Sequence, residues 1–91
     1  MIALPDNVSF TSTEYGGVLL DEKTAQYWQL NGAGAVALRT MIDGGDAAAA
    51  AAAVCELYDT TSEIATTDIN QVLTELRTAG LIRVTRESEN E

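Results

Sequence analysis

The strongest constraint on the fold is a change of hydrophobic period at Asn31. Before this residue, side chains alternate with the period of two that strands show; after it, apolar residues recur at helical spacing. Three strand-like runs with short connections predict an antiparallel meander. These runs are Val8–Thr13, Val18–Leu20 and Gln26–Leu30, with turns predicted at Tyr15–Gly17 and Asp21–Thr24.

Capping residues predict where the first two helices begin. Asn31 and Asp46 are good N-caps, because their side chains accept hydrogen bonds from the free N–H groups of a first helical turn. The run of alanines needs no special function, since alanine is the best helix former. The predicted helices are Ala33–Ile42, ended by Asp43-Gly44-Gly45, and Ala47 to about Leu57.

The third helix follows a predicted polar connector, Tyr58–Ala65, and Thr66 or Thr67 is expected to cap it. Gly80 suits the left-handed position after a helix, and Leu81 can fold back onto the last turn. We expect Leu81–Val84 to form a short terminal strand. The apolar stripe of this helix follows the spacing i, i+3, i+4, i+7 and consists of Ile69, Val72, Leu73 and Leu76.

This order of elements predicts an α+β fold of the winged helix-turn-helix type, with a three-stranded antiparallel sheet followed by three helices. A chain of 91 residues suits one domain with one core. We expect that domain to span residues 1–86. Residues 87–91 are predicted to form an acidic, flexible tail.

The composition argues against catalysis. The chain contains no histidine and one cysteine, Cys55, which excludes histidine-based acid–base chemistry and argues against a zinc site. The glycines match neither a phosphate-binding loop nor a dinucleotide fingerprint. We therefore expect no enzyme activity, no catalytic residue, no metal and no cofactor.

The charge bears on possible partners. Fourteen acidic against five basic residues give a net charge of −9, which repels nucleic-acid phosphates and anionic membranes. The third helix carries Asp68 and Glu75 against a single Arg77, a poor set for reading DNA. Met1–Pro5 lacks the pattern of a signal peptide, and no apolar run is long enough for a bilayer. The expected location is therefore the cytoplasm, without nucleic-acid or membrane partners.

The third predicted strand contains two adjacent aromatic residues, Tyr27 and Trp28. Adjacent residues of a strand face opposite ways, so in a small domain we expect one ring to enter the core and the other to lie at a rim or on the outer face. If this strand is a sheet edge, its free N–H and C=O groups can pair with an extended peptide. The alternative, that both rings pack against the helices, stays open at this point.

Two segments carry a family resemblance. The stretch Val18–Ala35 contains an aromatic-x-Leu-Asn pattern that leads into a helix with Gly-Ala, and Ile69–Ile82 ends in Leu-x-x-Leu-x-x-x-Gly-Leu-Ile. Together they resemble the PqqD-like proteins over roughly Val8–Arg86. The first motif is fairly specific, whereas many winged helices share the second. The residues of the first motif are Trp28, Leu30, Asn31, Gly34 and Ala35.

The resemblance implies a function. Such domains are RiPP recognition elements, which bind the leader of a ribosomally made precursor peptide along the edge of the third strand and against the third helix. In lasso-peptide pathways they present the precursor to a leader peptidase and a cyclase. By position, the implied peptide-binding residues are Gln26, Tyr27, Trp28, Gln29 and Leu30 on the strand, and Asp68, Gln71, Val72, Glu75 and Leu76 on the helix.

Two alternatives remain open from the sequence. One is a PqqD-like chaperone for another modified peptide or a cofactor precursor. The other is a winged-helix regulator that binds DNA, which the acidic third helix disfavours.

Overall fold

The computed structural model describes residues 2–84 of the 91-residue chain. Five strands and three helices make up this part of the molecule. In chain order they are β1 (Ile2–Ala3), β2 (Val8–Thr13), β3 (Gly16–Asp21), β4 (Gln26–Leu30), α1 (Gly32–Ile42), α2 (Ala47–Leu57), α3 (Ser62–Thr78) and β5 (Arg83–Val84).

The strands form two antiparallel sheets. The larger sheet has the order β2-β3-β4 and confirms the predicted meander. In its register, Val8 of β2 lies opposite Asp21 of β3, and Asp21 lies opposite Gln26 of β4. The smaller sheet pairs β1 with β5. The terminal strand was predicted over Leu81–Val84, but it covers only Arg83–Val84, and β1 was not predicted. A two-residue strand is too short to show a period in the sequence, so β1 can be recognised only from its pairing with β5.

The helix ends follow the predicted capping chemistry. The Asn31 and Asp46 side chains each accept a hydrogen bond from the backbone N–H three residues on, both at 2.8 Å. Gly80 adopts φ +78°, which a residue without a Cβ reaches at little cost. Its N–H donates to the carbonyl of Arg77, and the Leu81 N–H donates to that of Leu76, so the chain folds back as predicted.

Two further predicted boundaries are corrected, the first turn and the start of the third helix. The first turn lies at Glu14 and Tyr15 rather than at Tyr15–Gly17, because Gly16 pairs with Thr13 and Gly17 with Ser12. The third helix begins at Ser62, so the predicted connector Tyr58–Ala65 is too long. Thr61 is its cap, and its hydroxyl accepts from the Ile64 N–H at 3.2 Å. Residues 85 and 86 and the predicted tail, 87–91, lie outside the described residues.

The core lies between the larger sheet and the helices. Its three largest fully buried side chains come from three different elements: Leu19 of β3, Leu38 of α1 and Leu76 of α3. Within residues 2–84 no polar or charged residue belongs to the buried set. The helices cover only one face of the larger sheet, since Leu19 is buried while its neighbour Leu20 is exposed.

Leu76→Ala tests this packing. Removing a fully buried leucine side chain leaves a cavity, so we expect the free energy of unfolding to fall by about 2–5 kcal/mol. Leu57→Ala is the matched control, because Leu57 is 67% exposed and should lose far less. Thermal or urea denaturation followed by circular dichroism measures both. Equal effects of the two substitutions would contradict the placement of α3.

Candidate functional site

Strand β4 forms an open edge of the larger sheet. Its only neighbour among residues 2–84 is β3, which lies between β2 and β4. In an antiparallel sheet, the N–H and C=O of one residue point to the same side, and successive residues point to opposite sides. The edge therefore presents the backbone groups of alternate β4 residues.

The register determines which residues these are. The Glu22 N–H donates to the Asn7 carbonyl at 2.7 Å, so even-numbered β3 residues bond to β2 and odd-numbered ones to β4. The β4 partners of Gly17, Leu19 and Asp21 are Leu30, Trp28 and Gln26. Tyr27 and Gln29 consequently direct their N–H and C=O groups away from the sheet.

The side chains of β4 alternate between the two faces. Trp28 lies opposite the buried Leu19 on the core face, whereas Tyr27 lies opposite Leu20 on the uncovered face. Tyr27 is 68% exposed and Trp28 is 36% exposed. Tyr27 lies on the outer face, as predicted for one of the two rings. The prediction that the other ring enters the core is wrong, and so is the alternative that both pack under the helices. At a sheet edge, even the core-facing ring keeps one side open to solvent.

A polar turn fixes the start of this edge. The Asp21 carboxylate accepts hydrogen bonds from the Asn7 side-chain amide at 2.8 Å and from the Lys23 N–H at 3.0 Å. The Asn7 bond, helped by backbone N–H groups of the turn, holds the pKa of Asp21 below its usual value of 3.8. The Ala25 N–H donates to the Asp21 carbonyl at 2.8 Å, which closes the turn directly before Gln26.

A groove begins where β4 ends. It has a volume of about 370 Å³, within the usual size of ligand sites. Its floor is apolar and includes Leu38, Met41 and Val54, while polar groups stand at its rim. Asn31, the residue after β4, belongs to the lining, so the groove lies at the C-terminal end of the strand. From α1 and α3 the lining includes Ala33, Gly34, Ala37, Ala65, Asp68, Ile69, Gln71, Val72, Leu73 and Glu75.

The sequence-predicted site residues separate into three groups. Gln26, Tyr27, Trp28 and Gln29 are exposed along the edge, and Asp68, Gln71, Val72 and Glu75 line the groove. Leu30 and Leu76 are buried in the core, so their side chains position the strand and the helix instead of forming the surface. The sequence reasoning missed the α1 wall and Tyr58. Small residues one turn apart in Gly32–Ala37 were the available signal for that wall.

The charges at the groove have one sign. Asp68 and Glu75 are its charged lining residues, seven positions and so about two turns apart on α3. Arg77, two positions from Glu75, points to the opposite side of the helix. Arg39 of α1 lies over the Phe10 ring, with its Cζ 4.8 Å from the ring centroid. The groove is thus apolar with an acidic rim.

Neither a membrane-spanning helix nor a metal-binding cluster is found in residues 2–84. No helix in this range is long and apolar enough to cross a membrane. The same residues contain no group of three or more cysteine, aspartate or glutamate side chains arranged to hold a metal ion.

The fold and site together define a small winged-helix-like α+β domain whose sheet edge opens beside a helix-lined groove. Residues 16–82 match the family model described as coenzyme PQQ synthesis protein D (PqqD). This match covers well over half of the chain, which therefore belongs to the PqqD family, as the motifs around Trp28 and Gly80 predicted. No curated protein matches the chain.

Two solved structures are similar to it. One is described as lasso peptide synthetase B1 complexed with the leader peptide. It is 31% identical, covers 91% of this chain and 98% of its own, and has a TM-score of 0.80. The other, TbiB1 in complex with the TbiA(beta) leader peptide, is 20% identical and has a TM-score of 0.78, with coverage of 93% and 99%. The second likeness supports the fold alone.

Asn7→Ala tests the turn before β4. Without the amide donor, we expect the pKa of Asp21 to rise toward its usual value, as followed by nuclear magnetic resonance titration of the carboxyl carbon. Because the folded-state pKa lies below the unfolded one, ionised Asp21 stabilises the protein above about pH 3.8, and this contribution is lost as pH falls through the folded-state pKa. An unchanged pKa in the variant would show that the backbone donors hold the carboxylate alone.

Proposed function

We propose that this protein binds the leader segment of a ribosomally synthesised precursor peptide and presents it to the processing enzymes of lasso-peptide biosynthesis. The leader adds as a further strand beside β4, and its side chains enter the groove along α3. The observation that carries the proposal is the open edge at Tyr27 and Gln29 next to an apolar groove. The 31% identical lasso peptide synthetase B1, complexed with a leader peptide over nearly the same length, supports it.

Strand addition and groove binding serve different purposes in this mechanism. Backbone hydrogen bonds at the edge accept many sequences, and pockets for alternate side chains provide selectivity. Ordering a flexible leader costs about 2–5 kcal/mol of the gross interaction energy. The partly exposed apolar lining residues Ala33, Val72 and Leu73 offset this cost by burying apolar leader side chains.

A binding role needs no catalytic group in the domain itself. The proposed partners are a leader peptidase and a cyclase, which would act on the precursor while its leader is held. We place this complex in the cytoplasm, where the precursor is made.

The PqqD description of the family model favours a second candidate, a chaperone for the precursor of a cofactor. The same edge and groove would bind that peptide. Titration with a lasso leader and with a cofactor-precursor peptide distinguishes the two, because the cognate class should bind more tightly.

Gln29→Pro tests strand addition. Proline lacks the outward N–H of Gln29 and places a ring at the pairing edge, so we expect about a tenfold or greater loss of affinity, the equivalent of about 1.4 kcal/mol. Isothermal titration calorimetry with the leader peptide of the lasso peptide synthetase B1 complex gives the affinity.

Gln29→Ala is its matched control, because this variant keeps the N–H and removes only the exposed side chain. Circular dichroism melting of both variants checks that the sheet is intact. Equal binding by Gln29→Pro and the unmodified protein, with both folded, would contradict strand addition at β4.

The acidic rim predicts a kinetic effect. Asp68→Asn combined with Glu75→Gln should slow association with a leader that carries Lys or Arg by several-fold at low salt, and it should change dissociation little. The salt dependence of the association rate should also become shallower. Stopped-flow fluorescence measures both rates. Glu63→Gln is the control, since Glu63 lies on α3 outside the groove lining. If the control slows association as much as the double variant does, the overall charge of the protein, and not the acidic rim, speeds association.

A further inference from the structure

Tyr58 lines the groove from the end of α2. It caps the C-terminus of α2, where its N–H donates to the Val54 carbonyl at 2.8 Å. Its ring lies against the first residue of α1, Gly32. A Cβ atom built on Gly32 would overlap the Tyr58 hydroxyl oxygen and lie 3.2 Å from the ring carbon that bears it. The ring can take this position because residue 32 has no side chain.

Two hollows meet at this ring. One is the groove, whose α1 wall includes Asn31, Ala33 and Gly34. The other, of about 570 Å³, lies between the β2–β3 hairpin and the opposite side of α1, and its lining includes Gly32, Val36 and Tyr15. Among residues 2–84, Tyr58 is the single residue that lines both. Its ring therefore separates them at the start of α1.

We propose that Tyr58 is a specificity-determining residue of the leader site, because it ends the groove at the N-terminus of α1. This inference rests on the proposed function. Tyr58 is 42% exposed, and the hydroxyl end of its ring lies against the backbone of Gly32. A wall held in this way tolerates added volume beside it poorly. The groove therefore admits an aliphatic leader side chain beside Tyr58 and rejects the indole of tryptophan. Without the ring, the groove opens into the second hollow and the limit on size disappears.

The test uses a panel of peptides derived from the leader of the lasso peptide synthetase B1 complex. Each apolar residue in turn is replaced by tryptophan, and fluorescence polarisation gives the affinities. The unmodified protein should bind the peptide with tryptophan at one of these positions about tenfold more weakly than the parent, a discrimination within reach of an apolar pocket. Tyr58→Ala should reduce this difference to about twofold, and Tyr58→Phe should preserve it.

Gly32→Ala provides a second variant that leaves Tyr58 in the chain. Its new methyl group displaces the ring, while alanine favours a helix more than glycine does. We expect it to relax the discrimination as Tyr58→Ala does, without loss of helix. Tyr15→Ala is the control. Tyr15 is an exposed tyrosine that lines only the second hollow, and its removal should leave the discrimination unchanged.

Two results of the peptide panel would overturn the inference about Tyr58. The inference is overturned if the unmodified protein tolerates tryptophan everywhere, or if Tyr58→Ala and Gly32→Ala both keep the original ranking of peptides. Failure of the unmodified protein to bind the parent leader at all is a different result. That result counts against the proposed function and removes the basis of this inference with it.

Discussion

The structure depends on covering one face of a three-stranded sheet with a helical layer. Leu19, Leu38 and Leu76 bring the sheet, α1 and α3 into one core, and each is fully buried. Because α1 starts directly after β4, the chain turns from the sheet into the helical layer at Asn31 and leaves no strand to pair with β4 among the described residues. The open edge is thus a consequence of the connection that builds the core.

The same connection places two kinds of surface side by side. Along β4, the outward backbone groups of Tyr27 and Gln29 can bind an extended chain of almost any sequence. Beyond Asn31, the groove between α1 and α3 offers an apolar floor and an acidic rim, which depend on side chains. A peptide that crosses both is held by its backbone at one end and read through its side chains at the other.

The sequence predicted the local elements well and the surfaces less well. β4 and α2 have the predicted bounds because aromatic alternation and an alanine run after Asp46 are strong local signals. α3 begins five or six residues earlier than its predicted caps allowed, since Thr61 closes the first turn as well as Thr66 or Thr67 would. Neither the exposure of Trp28 nor the outward direction of the Gln29 N–H could be predicted. Both depend on strand register and on what covers the edge, which local patterns do not contain.

Residue-resolved hydrogen exchange tests the central claim most directly, that a leader peptide pairs with the β4 edge. The register predicts an alternating response when the leader is added. The amides of Tyr27 and Gln29 should gain protection, whereas those of Gln26, Trp28 and Leu30, directed toward β3, should change less. Protection that appears only in α2, or uniformly along β4 without alternation, would contradict strand addition at this edge.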